Sequence, residues 1–392
     1  MLYMTWFYLL FVATLFFVYW FVVPARFRPW VFAAGSAGLL LYVFPGHTLF
    51  VFALATVVYL AGEYWADERL RCRNAVLISG IVLVLGVLFY FKYSALFVET
   101  FNRFAGAKLK LPEMALPLGI SYFSFRFVSY LIDVKRGVVT ERSYGRFLLY
   151  TFFFPIMPAG PIERYGTVDE QSRNPGGFRW DYVQEGIPRI LWGLFKKIVL
   201  ADSLSFLADD LSNPGAGSSA YWVGMYAATM KIYLDFSGYT DMAVGTSRLF
   251  GYRIMENFNN PYLQPNISLF WKNWHISLTR WFRDYLFIPL GGSRRGFGRT
   301  VCNTALVWAA TGIWHGAAWH FLFWGLYHAV GLVILRLYNM YISSRLPEGF
   351  KSSRIVYLLS TTVTFHFVAV GWIFFFVDVK QGFHVLKVMA GF

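Results

Sequence analysis

Two histidines in this chain occupy positions from which an imidazole could move a proton during a reaction. His315 stands between Trp314 and Gly316 inside Val301 to Tyr327, a run without a single Asp, Glu, Lys or Arg. A charged side chain at the centre of an apolar helix costs about 2.5–3.5 kcal/mol, and a neutral imidazole less, so a polar group kept there points to function. Gly312 and Gly316 lie to either side of it, and small residues at that spacing let a substrate or another backbone come close. His275 sits in FWKNWHISLTRWFRDY, residues 270–285, where Trp271, Trp274, Leu278 and Trp281 recur at helical spacing and predict one helix with an aromatic stripe. Lys272, Arg280, Arg283 and Asp284 fall on its other face. His275 therefore reads either as a second polar group of a site or as a neighbour of the stripe on a helix lying at the membrane surface.

One imidazole held in an apolar setting suits acyl transfer from a thioester to an alcohol. It can take the hydroxyl proton during attack, a contribution of about 10² to 10⁴ in rate, and a water-poor site protects the thioester from hydrolysis. A second polar group should meet the developing oxyanion; His275, Asn273 or a backbone amide beside Gly316 are open choices. Trp274, Trp314, Gly316 and Arg283 complete the positions expected to contact substrate. His47, His366 and His384 carry no companion motif. His320 and His328 lie about 140° and 80° around a helix from His315, which is not the spacing of a zinc pair, so no metal is expected. No GxSxG elbow, Walker loop or nucleotide fingerprint occurs. Cys72 and Cys302 are the only cysteines, which leaves no disulfide framework or CxxC site. Asp235 and Asp241, inside YLDFSGYTDMAVG, read as braces between helices.

The elements that must hold these residues are membrane helices. Of the 392 residues 57% are hydrophobic and 14% charged, against about a quarter charged in soluble domains. Met4 to Val23, Trp30 to Phe44, Leu49 to Ala61, Ala75 to Phe91 and Ile355 to Val377 are long enough, or nearly so, for a span that takes about 20 apolar residues. Further helices are expected over Tyr182 to Leu207, Ala220 to Gly251, Val301 to Trp314 and Ala317 to Leu337. The first segment lacks the basic leader of a cleavable signal and should remain a helix. The net charge of +14 follows from basic loops on alternate sides, at Arg26 and Arg28, at Arg69, Arg71 and Arg73, and at Lys135, Arg136, Arg142 and Arg146. This predicts an outward N-terminus and excludes the need for a nucleic-acid partner. FFFPIMPAGP, residues 152–161, cannot stay helical through its prolines, and broken backbone at membrane depth must be buried in protein or face a cavity. Arg164 to Trp180 reads as an interfacial loop, and Glu256 to Thr300 as short amphipathic helices in the interface. The chain reads as one helical bundle, a single structural unit with N-terminal transmembrane helices over 1–113, a catalytic core over 114–377 and a tail over 378–392.

YLDFSGYTDMAVG, NFNNPYLQPNISLFWKNWHISLTRWFRDYLFIPLGG and TGIWHGAAWHFLFWGLYHAVG together closely resemble membrane-bound O-acyltransferases of the bacterial branch. LPLGISYFSFRFVSYLIDVKRG, FFFPIMPAGPIERY and GLFKKIVLAD agree, so the resemblance covers roughly Leu116 to Val377. IPLGGSRRG after WFRDYLF is more similar to the alginate O-acetyltransferase group than to the D-alanine transferases of teichoic acid synthesis. The resemblance implies an all-α polytopic fold of about ten to eleven transmembrane helices, with re-entrant and interfacial helices, in a ring around a central tunnel. By it, His315 matches the active-site histidine of a WHG motif, and His275 the second histidine, in WHxSL, on the cytoplasmic side. It implies no bound cofactor, a thioester donor (acetyl-coenzyme A or the phosphopantetheine of an acyl-carrier protein), and an inner-membrane location. The acceptor would be an extracytoplasmic polysaccharide, often reached through an outer partner protein. The basic stretch Lys272 to Arg299 would then suit an anionic donor. A transporter and a structural subunit of an export complex are the competing readings; the first lacks the paired halves such folds use.

Overall fold

The computed structural model describes residues 5–110, 117, 119–157 and 160–392. Among these no β-strand occurs, only one antiparallel bridge between Phe258 and Trp274. Apolar runs this long leave helices as the way to satisfy every backbone group in lipid. Among the described residues four helices are long and apolar enough to cross a membrane: α3 (Pro45–Ala66), α4 (Arg73–Ala105), α14 (Trp319–Arg345 with its terminal turn) and α16 (Arg354–Phe376). A shorter apolar helix runs from Trp6 to Val22, with α1 (Trp6–Phe17) as its regular part. Two more long helices, α10 (Ser218–Leu249) and α13 (Phe297–His315), carry polar residues along their length. The protein is an all-α, multi-pass membrane protein.

The chain forms two compact units, Met1–Leu194 with Tyr239–Met255, and Phe195–Gly238 with Glu256–Phe392. In the first, α3, α4 and α5 (Ile120–Lys135) pack through small residues: Gly62 lies against the Tyr130 ring, and Gly80 against Leu131 and Ala61. Beside them α2 (Arg28–Val43) contributes Phe32 to a cluster with Phe153, Phe154, Phe250 and Tyr252. The proline-broken segment expected to be buried is so from Phe152 to Met157; Pro158 and Ala159 lie outside the described residues. One expectation is corrected here. Arg164 to Trp180 is not all loop, because after the short α6 (Tyr144–Thr151) residues Tyr165–Arg173 form α7. Its buried Tyr165, Val168, Asp169 and Ser172 share one face, and Asp169 pairs with Arg173 one turn on and with Arg146 of α6. Tertiary pairing thus overrides a composition that reads as irregular. The unit continues into α8 (Trp180–Leu194), whose Arg189 holds Asp241 at 2.5 Å.

In the second unit, the short α9 (Ser205–Ala208) and the loop after it precede α10, and Lys197 pairs with Asp235 at 2.7 Å. The helices that matter for the site are α11 (Ile267–Asn273), α12 (Ile276–Phe282), α13, α14 (Trp319–Tyr341) and α16, joined by the small α15 (Glu348–Lys351). Their core is a tryptophan cluster of Trp271, Trp274, Trp308, Trp324 and Trp372. The expected tail is also ordered. Asp378 caps α17 (Val379–Met389) by accepting from Lys380 and Gln381 N–H, and Val385 is fully buried among residues of α10 and α16.

Candidate active site

The single helix predicted over residues 270–285 is broken. α11 ends at Asn273, α12 starts at Ile276, and His275 between them adopts φ +43°, a region few non-glycine residues enter. Asn257 holds the break: its carbonyl accepts from Ile276 N–H at 3.0 Å and its Oδ1 from Ser277 N–H at 3.2 Å. Such strain persists only where the surroundings over-determine it. The break turns His275 inward, edge-on to Phe236 at 4.6 Å and to Trp314 at 6.0 Å. Neither of its ring nitrogens has a hydrogen-bond partner. His275 lies outside the membrane-crossing helices, and burial, followed by the nearby His315 charge, holds its imidazole well below the usual histidine value.

His315 is the last residue of α13, where Gly316 leaves the helix in extended backbone, φ −162°. Half-buried, its ring faces Trp314 at 4.8 Å, Trp324 at 5.1 Å and Phe375 at 5.2 Å. Trp314 therefore touches both histidines. Glycines set the height of His315 over Trp324. A Cβ on Gly312 would meet the Phe321 carbonyl oxygen at 2.2 Å, and one on Gly325 the Trp308 carbonyl oxygen at 2.2 Å, so α13 and α14 approach backbone to backbone. Gly316 is covered by the Phe321 ring, 2.0 Å from where a Cβ would stand. Both flanking glycines thus serve close packing of α13 against the start of α14.

A cavity of about 720 Å³ opens in this unit among α11, α12, α13 and α14. Lys272, Arg280, Arg283 and Arg336 line it, over an apolar wall that includes Leu278, Val307 and Leu332. Arg283 is also paired with Asp284 at 2.8 Å. The cavity wall comes within a residue of His275, at Ile276, and within one turn of His315, at Thr311. Trp271 and Trp308, their rings 4.4 Å apart, also line it. Two expected contacts are placed elsewhere: Asn273 donates to the Leu269 carbonyl of its own helix at 2.9 Å, and Trp274 packs between Phe270 and Trp372. Arg336 escaped the sequence reading because a lone basic residue late in an apolar helix resembles an ordinary end signal.

A family model, that of the membrane-bound O-acyltransferases, matches residues 1–376. The chain belongs to this family. The O-acyltransferase match includes both histidine segments and ends on the last residue of α16. The probable alginate O-acetylase AlgI of Pseudomonas aeruginosa is 37% identical over 86% of this chain and 63% of its own length. The protein of the same name from Azotobacter vinelandii is 36% identical over 91% of this chain and 71% of its own. A teichoic acid D-alanyltransferase of Bacillus subtilis is 33% identical over 66% of this chain and 68% of its own. The chain thus spans about two thirds of the length of these O-acyltransferase relatives.

Proposed function

We propose that this protein transfers an acyl group, acetyl above all, from a thioester bound on the cytoplasmic side of the bacterial inner membrane to hydroxyls of an extracytoplasmic polysaccharide. In this reading His315 takes the proton of the attacking hydroxyl while its oxygen bonds to the thioester carbonyl. The tetrahedral intermediate then collapses, the carbon–sulfur bond breaks, and the thiolate recovers the proton from the imidazolium. A neutral His275, whose ring also meets Trp314, has a ring N–H to offer the oxyanion. The observation that carries the reading is the half-buried His315, at the end of a helix whose preceding turn lines a cation-rimmed cavity. Four cations over an apolar wall favour a donor with phosphate at one end and an apolar thioester arm, either acyl-coenzyme A or a carrier-protein phosphopantetheine. Alginate-type relatives match more of the chain than the D-alanyltransferase does, which favours acetyl over D-alanyl transfer. A partner protein at the outer surface would complete delivery to the polymer.

The test is acyl transfer by the purified full chain in detergent, with labelled acetyl thioester and alginate oligosaccharide, comparing wild type with His315→Ala. Transfer by wild type and its loss in the variant are expected. Equal transfer by both removes His315 from the reaction.

A further inference from the structure

Behind the inner end of the cation-rimmed cavity lies a third histidine that acyl transfer, as derived above, leaves unused. His328 is 0% exposed, and neither ring nitrogen has a hydrogen-bond partner. Its ring is enclosed by Trp271 at 4.8 Å, Trp324 at 5.0 Å, Trp308 at 5.7 Å and Phe367 at 5.8 Å. Two of those indoles, Trp271 and Trp324, also bury an N–H with no acceptor. Leaving a buried polar group unpaired costs about 1–3 kcal/mol, so packing alone would be served better by phenylalanine or leucine at this position.

The position of these groups follows from α14. Trp324, His328, Leu332 and Arg336 recur every fourth residue and so share one helical face. At one end of that face Leu332 and Arg336 line the cavity; at the other Trp324 touches His315. Trp271 and Trp308 stand between the cavity and His328. His328 and Trp324 therefore stand on the one face that leads from the cations to the proposed reacting centre, with His328 Nε2 turned toward Gly371 of α16.

We propose that His328 binds the amide groups of the donor's arm. A phosphopantetheine-class arm carries phosphate at one end, sulfur at the other and amides between, which matches cations at the mouth, His315 at the far end and unpartnered nitrogens midway. When Trp271 and Trp308 part to admit the arm, Nδ1 of His328 meets one of its amides, while Nε2 stays against Gly371 of α16. The indole N–H groups of Trp271 and Trp324 supply further donors. This assignment rests on the cavity being the donor's entrance.

The experiment measures binding of two analogues that cannot transfer their acyl group to the purified full chain in detergent. One is S-acetonyl phosphopantetheine; the other is an alkyl phosphate of equal length, ending in the same S-acetonyl group but lacking amides. Wild type should bind the first at least about tenfold tighter. His328→Phe should lose that preference while binding the alkyl analogue as wild type does, and His328→Gln should restore part of it. A preference that survives in His328→Phe overturns the assignment and leaves the nitrogens to ordered water. Equal binding of the two analogues by wild type overturns it as well. Failure of wild type to bind either analogue overturns the donor entrance itself, while leaving the His315 transfer assay to stand or fall separately. Should His328→Phe not fold, Trp271→Phe removes one N–H, keeps a ring, and should lower the same ratio.

Discussion

Two sets of buried ionisable groups, one set in each unit, are held in opposite ways. In the first, Asp169 accepts from Arg146 and Arg173, Asp241 is held by Arg189, and the buried Arg248 donates to Glu185 at 2.6 Å and to Asp181 at 3.2 Å. In the second, His275 and His328 are as deeply buried and keep both ring nitrogens unpartnered. A paired charge fixes the register of the helices that carry it, and removing one partner leaves a costly orphan. An unpartnered imidazole does no such work in the free protein. The difference separates groups that brace the structure from groups available to a ligand.

The sharpest way to break this comparison is at His315, where replacement by alanine should lower transfer by about 10² to 10⁴ with the unfolding temperature in detergent unchanged. Asp169→Asn should do the reverse, lowering stability by about 2 kcal/mol in thermal unfolding while the rate per folded molecule stays that of wild type. A loss of rate there without a loss of stability would erase the distinction between brace and site. Gly312→Ala pushes α13 off α14 and displaces His315; a shift of about 1 Å should slow transfer about 10²-fold, seen in kcat at saturating donor. Neutralising Lys272 and Arg336 together to glutamine should raise the donor KM by about tenfold with kcat unchanged, and added salt should narrow the gap from wild type. The smallest effect is expected at Gly38 of α2, where a Cβ meets nothing within 4 Å. Gly38→Ala should stabilise by at most about 1 kcal/mol and leave kinetics alone.

Much of this arrangement was legible before any tertiary contact was known. The helix ending at His315, the span that follows it and the buried proline-broken segment were each readable from apolarity and turn residues. His275 was readable as a polar group beside an aromatic stripe, but the break that aims it was not. Trp271, Trp274, Leu278 and Trp281 keep helical spacing across it, and only Asn257, distant in sequence, supplies the hydrogen bonds that stabilise the turn. In the sequence His328 stands out only by its angle from His315 around a common helix, which is not that of a metal pair. That angle does not apply, because α13 ends at His315 and His328 belongs to α14. α7 is not legible in the sequence because its support comes from arginines reaching Asp169, one of them outside the segment.

By itself the sequence determined which segments enter lipid and which ionisable residue stands in an apolar run, because apolarity is summed over neighbours along the chain. The tertiary structure alone decided which buried nitrogens lack a partner and in what order they lie between the cations and His315. Hydrogen-bond satisfaction depends on whatever packs against a group, and around His328 that is four indoles from four different helices, α11, α13, α14 and α16.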